Sequence, residues 1–209
     1  KFIISEGSKI ADLFSNEIIN RFCQTANFQN ECELEGYAKP DVYLYGREIE
    51  LLSILKKSIE NQMADLNKSW NERNSKLVNF SKKEILIIAS ILEKESCANE
   101  REKISGVIYN RLKNNMLLQM DSTTIYGLKD FNGNLKKKDL RDSSLYNTYM
   151  HKGLPPGPIS NPSRNSIFAA AQPEEHDYLY FVAKDKCSHE FSTNYDDHLK
   201  AVKKYQLRQ

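Results

Sequence analysis

Glu93 and Glu95 close the segment Ala89-Ser90-Ile91-Leu92-Glu93-Lys94-Glu95-Ser96 and are the side chains best suited to acid–base chemistry. Two positions on a helix differ by about 200° of rotation, so the pair cannot serve one site from one face. Glu84 stands eleven residues before Glu95 on nearly the same face, but a separation of about 16 Å along the axis keeps the two apart. Any proton transfer must therefore rest on one carboxyl group. A glutamate at the end of an apolar helix is partly desolvated, which raises its pKa toward neutrality. That is what a general acid for a glycosidic oxygen requires. Spacing alone favours the plainer reading, two solvated glutamates near a helix end. The segments Leu118-Gln119-Met120-Asp121-Ser122-Thr123-Thr124-Ile125-Tyr126-Gly127 and Tyr146-Asn147-Thr148-Tyr149 supply amides, hydroxyls and aromatic faces. Such groups bind sugars, although ordinary loop polarity around a tyrosine-bearing core has the same composition.

Other chemistries find less support. The sequence holds no G-x-S-x-G, no phosphate-binding glycine loop and no H-E-x-x-H. His151, His176, His189 and His198 lack metal-ligand spacing, so neither a metal nor another cofactor is expected. Cys23, Cys32, Cys97 and Cys187 form no C-x-x-C pair and are too scattered to suggest a disulfide framework. Cys97 reads as a buried thiol. Thirty Lys and Arg against 28 Asp and Glu leave a formal charge of +2, too balanced for a nucleic-acid footprint. The longest wholly apolar run is Ile85–Ala89, far short of a bilayer span. Lys1 rather than Met at the first position leads to the expectation of a preceding leader or anchor.

The elements that must position these residues follow from periodicity. The 209 residues include nine Phe, eleven Tyr and one Trp, enough apolar surface to order one domain or two small ones. Phe2-Ile3-Ile4 reads as a strand, and Ser8 as the cap of a helix through Phe14 and beyond. Gly36-Tyr37-Ala38-Lys39-Pro40-Asp41 is turn chemistry. From Arg47 to about residue 77, Leu52, Leu55, Ile59, Met63, Leu66 and Trp70 step by three and four, marking a long amphipathic spine helix. Ser81-Lys82-Lys83-Glu84 is a capping box. It opens a helix apolar on every side, which belongs inside a domain. Asn99 is a candidate cap for the next helix, whose buried face is Ile104, Val107, Ile108 and Leu112.

After Leu112 the helical signal stops, and residues 113–162 read as one irregular, ordered, cleft-lining stretch. A short helix over Ser163–Gln172, strands at Tyr178–Val182 and His189–Ser192, and a helix capped by Asn194 complete the chain. The class is α+β, with a central buried helix ending in the acid and a small sheet that includes a C-terminal hairpin. Residues 1–46 read as an N-terminal remnant, 47–80 as a connecting helix and 81–209 as the functional domain.

The ordered set of segments Ala89–Ser96, Val107–Leu112, Leu118–Asp121, Ile125–Gly127, Tyr146–Tyr149, Gly153–Ile159, Asn161-Pro162 and Tyr178–Val182 resembles the bacterial endolytic murein transglycosylases, the YceG-like proteins. The resemblance runs from about Ser81 to Val202 and continues weakly upstream. It implies cleavage of the β-1,4 bond between N-acetylmuramic acid and N-acetylglucosamine in peptidoglycan strands, without water, leaving 1,6-anhydromuramoyl ends. It places the catalytic glutamate at Glu95, acting first as acid and then as base. This agrees with the one-acid geometry, because the sugar's own C6 hydroxyl replaces the second carboxylate most glycosidases need.

By position, Gln119, Asp121, Tyr126, Asn147 and Tyr149 are candidates to line the glycan groove. Glu93, Asn110 and Arg111 are candidates to orient Glu95 or hold the neighbouring helix, and Gly153–Pro158 to stiffen the groove. The resemblance further implies glycan strands as partner, work near peptidoglycan synthases, and a place on the periplasmic face of the inner membrane through a single-pass anchor outside this sequence. Two departures stand out. The family's membrane helix is missing and its LysM-like module is at most a remnant, and Lys39 stands where an aromatic is common. A catalytically silent peptidoglycan-binding scaffold is the alternative from another class. A nucleic-acid module, which would bind with steep salt dependence, fits the charge balance poorly.

Overall fold

The computed structural model describes residues 2–25, 33–44, 50–97 and 99–207, which leaves Cys32, the start of the expected spine helix at Arg47 and much of the polar stretch before Tyr37 outside the described residues. These residues form eight α-helices and two antiparallel two-stranded sheets, the α+β class expected. The chain divides into two compact units, one of residues 1–94 with 157–171 and one of residues 95–156 with 172–209.

In the first unit, β1 (Phe2–Ile4) pairs antiparallel with β2 (Asp41–Tyr43) in the register Phe2↔Tyr43, Ile3↔Val42, Ile4↔Asp41. β2 is not legible locally, since three residues after a Pro-containing turn become a strand only by pairing with distant ones. The helix expected after Ser8 breaks at Phe14, whose backbone is extended, giving α1 (Ile10–Leu13) and α2 (Asn16–Thr25). Ile4, Ile10, Phe14, Phe22, Leu34, Ala38, Tyr43, Ile54 and Leu55 make one apolar cluster.

The spine helix, α3 (Leu51–Asn71), has a stripe rotated from the predicted one, with Ile54, Leu55, Ser58, Gln62, Leu66 and Ser69 as its buried positions. Gln62 tolerates full burial because its amide donates to the carbonyls of Gly36 and Pro162 at 3.0 and 2.9 Å. Gly36 itself sits at φ +83°, and a Cβ there would stand 2.7 Å from Pro158 Cβ, so the turn has room for no other residue.

The capping box opens α4 (Lys82–Glu95) as read: Ser81 N and Oγ donate to Glu84 Oε2 at 2.7 and 2.8 Å, and Glu84 N returns to Ser81 Oγ at 3.3 Å. Ile85 through Leu92 are all buried. Truncating one of these side chains to Ala costs about 2–5 kcal/mol. The short helix α7 (Arg164–Ala171) packs on α3 within the same unit.

The second unit holds α5 (Arg101–Lys113), whose cap position is Glu100 rather than Asn99. A Cβ on Gly106 would lie 2.6 Å from His176 Nε2, so this helix face is pressed against the His176 segment. The irregular stretch contains a helix that periodicity missed, α6 (Asp121–Gly127), and a 3-10 turn at Asp139–Arg141. Seven residues with two threonines carry little intrinsic helical signal. The hairpin β3 (Tyr180–Ala183) and β4 (His189–Ser192) pairs Tyr180 with Ser192 and Ala183 with His189. Asn194 caps α8 (Tyr195–Tyr205) by accepting from Asp197 N at 2.9 Å. Cys97 is not a buried thiol: it is partly exposed and bonded to Cys187 across a sequence separation of 90. Such a long-range pair leaves no local spacing signature.

Candidate active site

α4 ends at Glu95. The residue keeps some exposure, but its carboxyl end is enclosed, and that desolvation raises its pKa above the ordinary glutamate value. Two donors work against the shift: Ser122 Oγ and Ser122 N, at 2.5 and 3.3 Å, both point at Oε1. The negative charge of Asp121 adds to the rise and His189 subtracts from it. No bond from a described residue reaches Oε2, so among these residues Ser122 orients the carboxyl through Oε1 alone. A desolvated carboxyl held through one oxygen is an arrangement a positioned general acid can use.

Ser122 is the second residue of α6, and the surrounding hydrogen bonds explain why it sits there. Met120 N donates to Thr148 Oγ1 at 2.9 Å and Gln119 N to the Thr148 carbonyl at 3.1 Å. Thr123 Oγ1 lies 2.8 Å from Thr148 Oγ1, and Thr124 Oγ1 donates to Asn147 Oδ1 at 3.0 Å. Asn147 is wholly buried, and its amide also donates to the carbonyls of Leu140 and Asp142 at 3.2 and 2.8 Å. It ties the loop together from inside. Tyr126 packs on Tyr146, with ring centroids 4.7 Å apart.

Arg111, 7% exposed, clasps the irregular segment that leads into α6. Its Nε donates to the Leu179 carbonyl at 2.6 Å, and Nη1 to the carbonyls of Leu117 and Leu118, both at 2.9 Å, and to Gln119 Oε1 at 3.2 Å. A buried cation is tolerable only with such partners, and burial draws its pKa below the usual arginine value. Gln119 adopts φ +53°, a left-handed conformation rare for a side-chain-bearing residue. Asn110 supports the same wall, its amide donating to the carbonyls of His176 and Tyr178 at 2.7 and 3.0 Å.

Glu95, Arg111, Leu118, Gln119 and Met120 border an open cleft of about 490 Å³. Of the residues picked from sequence, the cleft brings together Glu95, Gln119, Asp121, Tyr149 and Arg111; Tyr126 and Asn147 are not among its lining residues. Tyr149 Oη donates to Asp121 Oδ1 at 2.6 Å, and burial together with that carboxylate pushes the phenol well above its usual pKa, keeping it a donor. Glu93 belongs to the first unit, where its Oε2 accepts from Ser163 N at 2.8 Å, Ser163 Oγ at 2.7 Å and Ser166 Oγ at 2.7 Å.

Sequence reasoning missed Ser122, Tyr180, His189, Tyr195 and His198. Ser122 is one residue beyond a selected position, and its hydroxyl next to a carboxylate candidate was the available signal. His189 is paired with Glu100 at 2.7 Å, across 89 residues, and nothing local announces it. Among the described residues no cluster of His, Cys, Asp and Glu could hold a metal ion.

The sequence pattern of the YceG-like family matches residues 1–204. The chain belongs to the YceG-like family. It is 35% identical over 208 residues to the endolytic murein transglycosylase of Bacillus subtilis strain 168, a match covering 98% of this chain and 55% of that protein. It is 33% identical over 156 residues to the protein of the same name from Streptococcus pneumoniae serotype 2, a match covering 72% of this chain and 28% of that one. The chain thus spans about half or less of the curated relatives it matches. A crystal structure of a YceG-like protein from Listeria monocytogenes superposes with a TM-score of 0.81 at 31% identity, covering 96% of this chain and 75% of that one. As a YceG-like chain, it carries the Glu95 cleft wholly within its second unit.

Proposed function

We propose that this chain is the catalytic region of an endolytic murein transglycosylase that cleaves the β-1,4 bond between N-acetylmuramic acid and N-acetylglucosamine within peptidoglycan strands. The observation that carries this reading is the desolvated Glu95 carboxyl, its pKa raised by burial and one of its oxygens held by Ser122 at the cleft. The protonated Glu95 carboxyl gives its proton to the glycosidic oxygen as the bond to the muramoyl C1 breaks. The resulting Glu95 carboxylate then takes the proton of the muramoyl C6 hydroxyl as that oxygen bonds C1. A 1,6-anhydro end forms, the acid is regenerated, and no second nucleophile enters. Asp121 and Tyr149, joined to each other at the cleft wall, and the Gln119 side chain offer hydrogen bonds to sugar hydroxyls and amides.

The names of the Bacillus and Streptococcus relatives support this substrate class. The Cys97–Cys187 bond supports a compartment outside the cytoplasm, because disulfides persist where the environment is oxidising. No helix among the described residues is long and apolar enough to cross a membrane. The periplasmic face of the inner membrane, an anchor elsewhere in the full-length protein and work alongside peptidoglycan synthases complete the proposal.

Mass spectrometry of purified glycan strands incubated with the parent and with Glu95→Gln tests it. Fragments ending in 1,6-anhydromuramic acid from the parent only are expected. Reducing ends would mean that water attacks, and no cleavage by either protein would favour a binding scaffold.

A further inference from the structure

The side of the cleft farther along the chain from Glu95 is built from different chemistry. Tyr180 of β3 and Tyr195, His198 and Gln206 at α8 line the same cavity. Tyr180 and His198 stack with centroids 5.1 Å apart and 24° between their planes, and the Arg111 guanidinium lies 5.0 Å from the Tyr180 centroid. Tyr195 leans on both rings, at 5.9 Å from Tyr180 and 6.2 Å from His198, yet remains 57% exposed. Its backbone is fixed at the first position of α8 by the Asn194 cap. An aromatic ring that is held from behind and open in front is a preformed platform.

The chemistry of this wall selects among ligands. Nε and Nη1 of Arg111 are spent on backbone carbonyls and Gln119. Burial and the nearby Arg111 lower the His198 pKa, so its imidazole is neutral at neutral pH. Asp197, next to His198 in sequence, is bound to Lys200 and Asn194. On this wall two phenols, a neutral imidazole and an amide line the cavity. These suit an uncharged ring with one apolar face and hydroxyls on its rim. None of these groups carries a charge to pair with a charged group.

We propose that Tyr195, backed by Tyr180 and His198, is a stacking station for a saccharide ring of the glycan strand at a distance from the ring whose bond Glu95 cleaves. The inference rests on the function proposed above. Its occupant follows from continuity: one cavity of about 490 Å³ contains both Glu95 and this platform, in the range of about 300–1,000 Å³ that accommodates more than a single small group. The station gives the enzyme a grip on strand interior, so affinity grows with strand length up to the unit that reaches Tyr195.

The test uses Glu95→Gln, which binds without turnover, titrated calorimetrically with uncrosslinked glycan oligomers from disaccharide to octasaccharide. Adding Tyr195→Ala is expected to weaken binding of the longer oligomers by about ten-fold, the order expected for losing one well-packed aromatic contact. Disaccharide affinity is expected to stay the same, and Tyr195→Phe to restore the long-oligomer affinity. Circular dichroism confirms that each variant folds, which the exposure of Tyr195 favours. A length dependence that survives Tyr195→Ala overturns the station while leaving the proposed reaction in place. An equal loss for short and long oligomers overturns it as well, since it would mean a general change in the cleft. Failure of Glu95→Gln to bind any oligomer overturns both the station and the proposed function.

Discussion

Glu93 and Glu95 lie two residues apart at the end of one helix, yet their carboxylates meet different surroundings. Glu93 is saturated on one oxygen by three donors, Ser163 N, Ser163 Oγ and Ser166 Oγ, and so pins the start of α7. Glu95 receives two donors from a single residue, Ser122, while burial works against its charge. The first arrangement suits a structural carboxylate that joins two segments. The second suits the proton donor and acceptor proposed for Glu95. Helical rotation separates the two side chains, and the hydroxyls each one meets decide what it does.

The largest expected effect tests this contrast at the level of turnover. Glu95→Gln should lower cleavage by at least about a thousand-fold, within the range for loss of a general acid–base group, whereas Glu93→Gln should keep at least a tenth of parent activity. Thermal melts should show the reverse order. Glu93→Gln loses charge-assisted hydrogen bonds worth about 1.5–3 kcal/mol each and should melt several degrees lower. For Glu95→Gln the sign depends on pH. Because the folded-state pKa of Glu95 is raised, its contribution to stability is present below the ordinary glutamate pKa and is lost as pH rises through the folded value. The variant should therefore gain stability relative to the parent across that interval and keep the gain at neutral pH. Equal inactivity of the two variants, with unchanged melting for both, would erase the distinction.

The disulfide comes next. Cys97 is two residues past Glu95 and Cys187 lies in the β3–β4 turn, so the bond ties the chain after the acid to the hairpin that lines the cleft. Replacing both cysteines by Ser should cost about 2–4 kcal/mol, as for other long-loop disulfides, read by denaturant unfolding. The loss should be matched by mild reduction of the parent. A cost below the error of the measurement would mean that the hairpin is held by its other contacts, among them the His189–Glu100 pair.

Ser122→Ala sharpens the comparison more finely. Removing the hydroxyl takes away a donor that favours the carboxylate, so the Glu95 pKa should rise further. The falling alkaline limb of the pH–rate profile should move to higher pH, and kcat should drop about ten-fold because the carboxyl loses its fixed orientation, roughly the value of one hydrogen bond to a charged group. A drop in rate with no movement of the limb would mean that Ser122 acts only on folding.

What the sequence made legible was local. The Ser81–Glu84 box, the Asn194 cap, the all-round burial of Ile85–Leu92 and the β3–β4 hairpin each rest on residues a few positions apart; all stand where local patterns put them except that β3 runs over Tyr180–Ala183 rather than Tyr178–Val182. β2, α6 and the Cys97–Cys187 bond depend on partners dozens of residues away, or on propensity too weak to register in seven residues. The same division runs through the cleft. The segment patterns drew attention to Glu95, Gln119, Asp121 and Tyr149 and passed over the adjacent Ser122, while His189 became visible only when chain distance was replaced by spatial distance. Asn147 shows the converse, a polar side chain in a site-like segment whose hydrogen bonds are all spent inside the loop.

Asp121 gives the smallest effect and the sharpest chemical distinction. It is the other carboxylate of the cleft, close enough for its charge to raise the Glu95 pKa, and it is already engaged as acceptor for the Tyr149 phenol. If Asp121 activated water, Asp121→Asn would abolish cleavage, as removal of the second carboxylate does in hydrolytic glycosidases. If the C6 hydroxyl is the nucleophile, Asp121→Asn removes only a neighbouring charge and a hydrogen-bond acceptor. The rate should then fall no more than about five-fold, the order of a single weakened polar contact, and every fragment should still end in the 1,6-anhydro form. The alkaline limb should move in the direction opposite to that of Ser122→Ala, because losing the Asp121 charge lowers the Glu95 pKa whereas losing the Ser122 donor raises it. Opposed shifts from two adjacent residues would tie the limb to Glu95 itself, on which Ser122 and Asp121 act in opposite directions.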